Sequence, residues 1–235
     1  MAVSRAHSHN DYSQPLPFSH AYKQGFGAIE ADIFLVNNKL FVAHDLDKIQ
    51  QSNTLKTQYL QPLKAALAKD VNRNITLLID VKGDYHTSLT ALLQELEPLW
   101  MFMKDASSVG RLRILISGNR PPPTEFKNYP EYLAFDEDLM HTYKEKELER
   151  IGQISLRFSN YSKWKGVGPL PEPDSIALQT VIHAAHTLNK PIRFWDAPDN
   201  AAGWAKIMEL GVDIIGTDRI DALASFLGTT ASPGF

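Results

Sequence analysis

The chain has no cysteine in its 235 residues, which excludes disulfides, thiolate zinc sites and cysteine nucleophiles and leaves the redox compartment unmarked. Long apolar runs are missing as well. LFVAH and RILIS fall far short of the roughly 20 residues that a membrane span takes, so a transmembrane segment is not expected. No charge of one sign dominates: 24 Lys and Arg stand against 27 Asp and Glu, a formal net charge of −3. There is thus no clustered basic face for a polyphosphate backbone, and nucleic acid is not an expected partner. The glycine-rich fingerprint of a dinucleotide-binding sheet is absent after the first strand-like run. Internal repeats and low-complexity tracts are absent too, and the proline-rich patches NRPPPTEF and GVGPLPEPD fall between periodic segments and read as loops. The first strand-like run begins within about four residues of Met1, too close for a signal peptide. The expectation is a soluble protein, cytoplasmic as it stands, or periplasmic or secreted if a leader was removed. Oligomeric state is not legible.

What is present is alternation. Short β-rich runs (AVSRAHS, GAIEADIF with its partner KLFVAHD, ITLLIDVK, RLRILIS, YLAFD, QISLRFS, PIRFWD, VDIIGTD) exchange with longer amphipathic patterns. The helical patterns are PFSHAYKQ, LKTQYLQPLKAALAK, HTSLTALLQELEPLWMFMK, YKEKELERI, DSIALQTVIHAAHTLN, NAAGWAKIMEL and RIDALASFL. With KLFVAHD counted as an excursion of the second strand, eight strand-helix steps result. Parallel pairing with right-handed crossovers then predicts an α/β protein, a (β/α)8 TIM barrel as a single domain over residues 1–235. An open doubly wound sheet is the competing architecture.

In such a barrel the site forms where strands end, and polar residues gather there. His7, His9 and Asn10 close the first run; Glu30 and Asp32 lie on the second; His44 and Asp45 end its excursion. Asp80 and Lys82 end the third, Ser117 and then Arg120 the fourth, Asp136 the fifth, Trp195 and Asp196 the seventh, Thr217 and Asp218 the eighth. Residues two apart on a strand share a face, so Glu30 pairs with Asp32 and Asp80 with Lys82. Asp80 sits among Leu78, Ile79 and Val81, where an ionised carboxylate without a partner is costly. A cation resolves that cost. Glu30, Asp32, Asp80 and the side-chain carbonyl of Asn10 make a hard oxygen set that suits Ca²⁺ or Mg²⁺ better than Zn²⁺.

These residues resemble the phosphodiesterase barrels that include phosphatidylinositol-specific phospholipases C and glycerophosphodiester phosphodiesterases. SHNDY is similar to the Ser-His-Asn-x-Tyr stretch of the calcium-dependent phospholipases C, which implies a catalytic His9 and a metal ligand Asn10. PFSHAYKQGFGAIEADIFLVNNKLFVAHD resembles the diesterase pattern of helix, Gly, Ile-Glu-x-Asp, excursion and His-Asp, implying metal ligands Glu30 and Asp32 and a second catalytic histidine, His44. LIDVKG resembles the Glu-x-Lys strand, with Asp80 completing the metal site and Lys82 contacting phosphate, and GVDIIGTDRID resembles the final Thr-Asp strand. The His-Arg-Gly opening and following Glu-Asn-Thr of ordinary glycerophosphodiesterases are missing, and Asp80 replaces their usual Glu. The resemblance implies a metal-dependent phosphodiester hydrolase acting on a small phosphodiester or phospholipid head group.

The chemistry is consistent with those residue types. A bound cation neutralises the phosphoryl charge and activates the nucleophile, while Lys82, with Arg120 or Arg193, stabilises the charge of the transition state. Two histidines divide the proton traffic, since imidazole exists in both forms near neutrality. His7 shares the face of His9 and reads equally as an orienting group for the site or as a packed histidine; Trp195 reads equally as a substrate-stacking ring or as packing. His20, His183 and His186 fall in helical patterns, His86 and His141 at loops or caps, and Asp45 is left outside the site. In SNYSKWKG, Tyr161 and Trp164 interleave with Lys163 and Lys165, a pattern that suits a lipid surface but is read first as a solvated loop. Two other classes stay open: an amidohydrolase-type metal hydrolase using His7 and His9 as a His-x-His pair, and a barrel that binds metal or phosphate without turnover.

Overall fold

The computed structural model describes residues 3–103 and 110–230. The strands are β1 (Ala6–Ser8), β2 (Ala28–Val36), β3 (Lys39–Val42), β4 (Ile75–Val81), β5 (Leu112–Gly118), β6 (Leu133–Glu137), β7 (Ile151–Arg157), β8 (Ile192–Trp195) and β9 (Ile214–Thr217). Eight of them pair in parallel around a closed ring, β1-β9-β8-β7-β6-β5-β4-β2 and back to β1, while β3 pairs antiparallel to β2. This is the expected (β/α)8 barrel, and KLFVAHD is the excursion it was read to be. Helices α1 (Ser19–Gln24), α2 (Gln61–Lys69), α3 (Tyr85–Leu96), α4 (Glu145–Leu148), α5 (Glu172–Thr187) and α6 (Ala201–Glu209) lie between strands, and α7 (Ile220–Thr230) follows β9. No helix among the described residues is long and apolar enough to cross a membrane.

Pattern and packing agree along each strand. On β4, Leu77, Ile79 and Val81 join the apolar layer under the helices, as do Ile114 and Ile116 of β5. The alternate residues face the barrel axis. There Thr76, Arg113, Leu115 and Gln153 surround a small cavity at the N-terminal end of the strands. Above it the usual branched aliphatic filling gives way to charge, because His7, Glu30, Asp136 and Arg193, from four different strands, touch one another across the axis.

Caps and turns fix the elements that place the site. Asp84 accepts from Thr87 N at 2.9 Å to start α3, and Asn200 accepts from Gly203 N at 2.9 Å to start α6, the side-chain capping that exposed helix starts require. Asn37 and Asn38 both have positive φ, 50° and 60°, giving the tight hairpin that returns β3 along β2. Ile33 then pairs with Val42, and Ala43 N reaches Asp32 O at 3.3 Å.

Four expected elements differ. YKEKELERI is helical only over Glu145–Leu148, and its Ile151 already opens β7. AVSRAHS is a strand only over Ala6–Ser8, because Val3–Arg5 turns as a 3-10 helix while Arg5 donates to the carbonyls of Asp213 and Val212 at 2.6 and 2.9 Å. LKTQYLQPLKAALAK begins with a π-helical turn at Lys56–Leu60 before α2; Pro62 has no N–H to close an i−4 bond there. HTSLTALLQELEPLWMFMK leaves the α-helix at Leu96 and continues as a 3-10 helix over Glu97–Phe102, where Pro98 lies in the first turn. Ala2 and Lys104, the outer ends of two of these readings, lie outside the described residues.

Gly27 leads into β2, and a Cβ there would sit 1.8 Å from Ser4 O. Gly27→Ala is therefore expected to destabilise the fold by about 3 kcal/mol or more in urea denaturation. Gly228→Ala, at an exposed helical position with nothing within 4 Å of the added Cβ, should be neutral or stabilise by up to about 1 kcal/mol.

Candidate active site

Register brings the acids together. Asp32 pairs with Asp80, and Asp80 with Ser117, across β2, β4 and β5, and Glu30 lies one side-chain repeat below Asp32. One carboxylate oxygen from each of Glu30, Asp32 and Asp80 lies within 4.8 Å of the others. Lys82 Nζ stands 3.0 Å from Asp32 Oδ2 and 3.2 Å from Asp80 Oδ1, while Asp32 Oδ1 is buried without a hydrogen bond. Burial, then the charge of Glu30, push the Asp32 carboxyl up to about 6; burial raises Asp80 as well, against the pull of Lys82. Three carboxylates with one lysine among them leave negative charge uncompensated, and all the donors are hard oxygens. The cluster could hold a metal ion. Sequence reading missed the device that seats Asp80: Gly118 has φ 70°, and a Cβ on it would come 2.2 Å from Asp80 Oδ1.

Beneath the cluster Arg193 compensates, by direct contact, the charge of Glu30 alone among the three. It is 4% exposed, donates through Nη1 to Glu30 Oε2 at 2.9 Å and through Nε to Ser155 Oγ at 3.2 Å, and lies 3.8 Å from Asp136 Oδ2. Burial would raise Glu30, but Arg193 and then His7 hold its carboxyl well below the usual carboxylate range. His7 Nε2 is 2.7 Å from Glu30 Oε2 and also against Arg193 Nη1. Burial, then the charge of Arg193, bring His7 down to about 4, so it is neutral. A ring nitrogen facing a guanidinium is a poor place for a second cation, which weighs against the His-x-His reading. Arg193 lines the floor of the cavity with its donors engaged by Glu30 and Ser155.

The loop after β1 carries the remaining groups. Asn10 adopts φ 46°, and Asp11, fully buried, accepts from Ser8 Oγ at 2.7 Å, Phe18 N at 2.5 Å and Tyr59 OH at 3.0 Å. That anchor went unrecognised in the sequence, where Asp11 looks like one more loop polar residue. His9 Nδ1 meets Asp218 Oδ1 at 2.8 Å and its Nε2 lies 4.0 Å from Glu30 Oε1. Burial alone would lower His9, but the Asp218 hydrogen bond and the Glu30 charge prevail and raise it. The Tyr12 hydroxyl is 2.6 Å from Asn10 Oδ1, 2.8 Å from Asp32 Oδ2 and 2.9 Å from His44 Nδ1. With one proton to give, it donates to one oxygen and accepts from the His44 ring N–H. His44 Nδ1 is 3.5 Å from Asp32 Oδ2, so a histidine stands on each side of the acids.

One open cavity of about 820 Å³ is lined by His9, Asn10, Glu30, Asp32, His44 and Asp80. Lys82, Arg120 and Trp195 line it too; His7 lies below it. The Arg120 guanidinium is held by Glu137 through two contacts of 2.7 and 2.8 Å, so it forms part of the wall already paired. Trp195 is partly exposed, with Arg157 over its ring at 5.1 Å. Asp45 is exposed in the loop after β3, outside the cavity lining.

Residues 1–73 match the model of the AIM6-like phosphodiesterase domain. The chain is 24% identical to the Altered inheritance of mitochondria protein 6 homolog of Arthroderma benhamiae, covering 94% of this chain and 82% of that protein. It is 25% identical to Altered inheritance of mitochondria protein 6 of Eremothecium gossypii, covering 95% and 69% respectively. A glycerophosphodiester phosphodiesterase structure from Parabacteroides distasonis superposes with a TM-score of 0.57 at 15% identity, covering 97% of this chain and 98% of that one. An Oleispira antarctica phosphodiesterase in complex with the product sn-glycerol-3-phosphate gives 0.57 at 12% identity, covering 95% and 96%. At these identities the structural likeness is one of fold. The resemblance read in the sequence is borne out: the chain carries the (β/α)8 barrel seen in glycerophosphodiester phosphodiesterases, and its first 73 residues match the AIM6-like phosphodiesterase domain.

Proposed function

We propose that the protein is a metal-dependent phosphodiester hydrolase acting on a glycerol- or inositol-type diester. The observation that carries this reading is the Glu30, Asp32 and Asp80 cluster at the mouth of the barrel with His9 and His44 on either side. Glu30, Asp32 and Asp80 would hold one divalent cation, Ca²⁺ or Mg²⁺ before Zn²⁺ given the all-oxygen donors, with Asn10 beside them. When bound, that ion neutralises phosphoryl charge and lowers the pKa of the attacking hydroxyl or water.

The protein's own groups do the rest. Lys82, at the open side of the acids, meets a phosphoryl oxygen and stabilises the charge that builds on it. His9 and His44 take the proton from the nucleophile and return one to the leaving oxygen. Asp218 orients the His9 ring and Tyr12 that of His44. Trp195 and the Arg120–Glu137 pair form the wall against which the alcohol portion rests.

Hydrolysis of bis-p-nitrophenyl phosphate and glycerophosphocholine with Ca²⁺, Mg²⁺, Zn²⁺ or chelator tests the reading, and an inert protein under every cation would end it. His44→Ala should lower turnover by about 10² to 10⁴ while calorimetry shows cation affinity nearly unchanged; Asp80→Asn should lose the cation itself. Because Asp32 takes up a proton near pH 6 in the free cluster, protons compete with the cation. Affinity should be flat above that pH and fall by about tenfold for each unit below it, as titration calorimetry would show.

A further inference from the structure

Nine large apolar side chains are exposed among the described residues. Val71 precedes β4, Trp100 and Met101 precede β5 and Ile176 lies on α5, whereas Leu16, Leu46, Met140, Val167 and Trp195 each lie at or after the C-terminal end of a strand, where the acids and histidines lie. Single exposed apolar residues are ordinary. The stretch after β7 is not, because residues 158–171 carry Lys163 and Lys165, no acid, and Val167 at their tip, 82% exposed. Gly166 and Gly168 flank that tip with φ 79° and 66°. The Trp164 indole Nε1 donates to Val167 O at 2.9 Å and to Gly168 O at 3.2 Å. The tip therefore keeps partners for its carbonyls when water is withdrawn, which matters because an unmet carbonyl in an apolar medium is costly.

The neighbouring loops extend the same surface. Met140, after β6, is 83% exposed, and Trp195 ends β8; β6, β7 and β8 are adjacent in the barrel, and Met140 and Trp195 both border the cavity. Leu46 lies between exposed Asp45 and Asp47; beside Met140 and Trp195, Asp138 accepts from Met140 N and Asp196 is paired with Arg157, so the lysine-bearing, acid-free stretch is the loop after β7 alone. Separate apolar prominences, with Lys163 and Lys165 on the middle loop and Lys163 Nζ donating to Ser159 O, suit a fluid interface better than the continuous patch of a protein partner. Apolar tips enter the acyl boundary while ammonium groups meet lipid phosphates. The net charge of −3 opposes approach to an anionic surface, so the attraction is local to this arc and screened by salt.

We propose that the arc of Met140, Val167 and Trp195, with Lys163 and Lys165, docks the barrel mouth on an anionic lipid bilayer, so that the diester presented to the acidic cluster is a phospholipid head group still in its membrane. The docking stands on the surface alone; the identity of the substrate rests on the phosphodiesterase reading.

The test is co-sedimentation of the full chain, in chelator, with vesicles of phosphatidylcholine alone or mixed with phosphatidylserine. Binding to the mixed vesicles that weakens with salt is expected. Val167→Asp should lower the partition coefficient about tenfold or more, and the double variant Lys163→Glu with Lys165→Glu should erase the preference for phosphatidylserine. Both variants should keep the wild-type melting temperature and the wild-type rate on soluble bis-p-nitrophenyl phosphate. No vesicle binding by the wild type, or equal binding by Val167→Asp, overturns the proposal. Concentration-dependent self-association in light scattering that Val167→Asp abolishes would assign the arc to a second copy and overturn it as well. Val167-dependent binding by a protein that cleaves no diester would leave the docking standing and remove the hydrolase reading alone.

Discussion

A single buried guanidinium makes the acidic mouth of this barrel tenable. Glu30, Asp32, Asp80 and Asp136 are brought by strand pairing into a small volume largely shielded from water, where carboxylates repel and burial penalises each charge. Arg193 reaches from the opposite wall and divides its donors among Glu30, Ser155 and Asp136. Its effect is uneven. Glu30, in direct contact, is held ionised, whereas Asp32, one level higher and nearer the open end, remains raised. The floor of the barrel is settled while its rim retains negative charge of the kind a cation could meet. Neutral His7 fits the same logic, since a charged imidazole beside the guanidinium would undo it.

The surrounding chain positions partners for that charge by one tight hairpin and a few contacts across the fold. The Asn37–Asn38 hairpin folds β3 back so that His44 arrives next to Asp32, and Asp11 pins the loop that carries His9, Asn10 and Tyr12 to Phe18 and Tyr59. Tyr12 and Asp218 then orient one histidine each. None of these supports needs a long-range rearrangement to work, and each can be traced to a residue type with a specific backbone or hydrogen-bonding habit.

Legibility followed the range of the interactions. The barrel could be read because strand and helix periods are local, and Glu30 with Asp32, or Asp80 with Lys82, could be read because two-residue spacing alone puts them on one face. Arg193 could be seen to end a strand region, but its commitment to Glu30 depends on a partner 163 positions away, which no local pattern encodes. Asp11 and Gly118 were missed for a related reason: their roles lie in what they touch across the fold. Arg120 was read as a phosphate contact; its two-contact pairing with Glu137 of the next strand is not encoded by any local pattern. The shortened first strand, the π-turn before α2 and the early end of α3 reflect tertiary contacts and prolines overriding apolar pattern, as expected at element ends.

The seam where the ring closes has a consequence of its own. β1 and β2 are joined by two register pairs, His7 with Ala28 and Ser8 with Ile29, against seven between β4 and β5. His44 and Asp32 ride together on the β2 hairpin, while His9 rides on β1 and is fastened to the last strand's loop. The two imidazoles thus lie on either side of a seam that, like the two-pair join of β8 and β9, is among the thinnest of the cylinder. Slight parting there would separate His9 from His44 while the other strand pairings held, so the barrel can persist as a fold after the two imidazoles have lost their alignment.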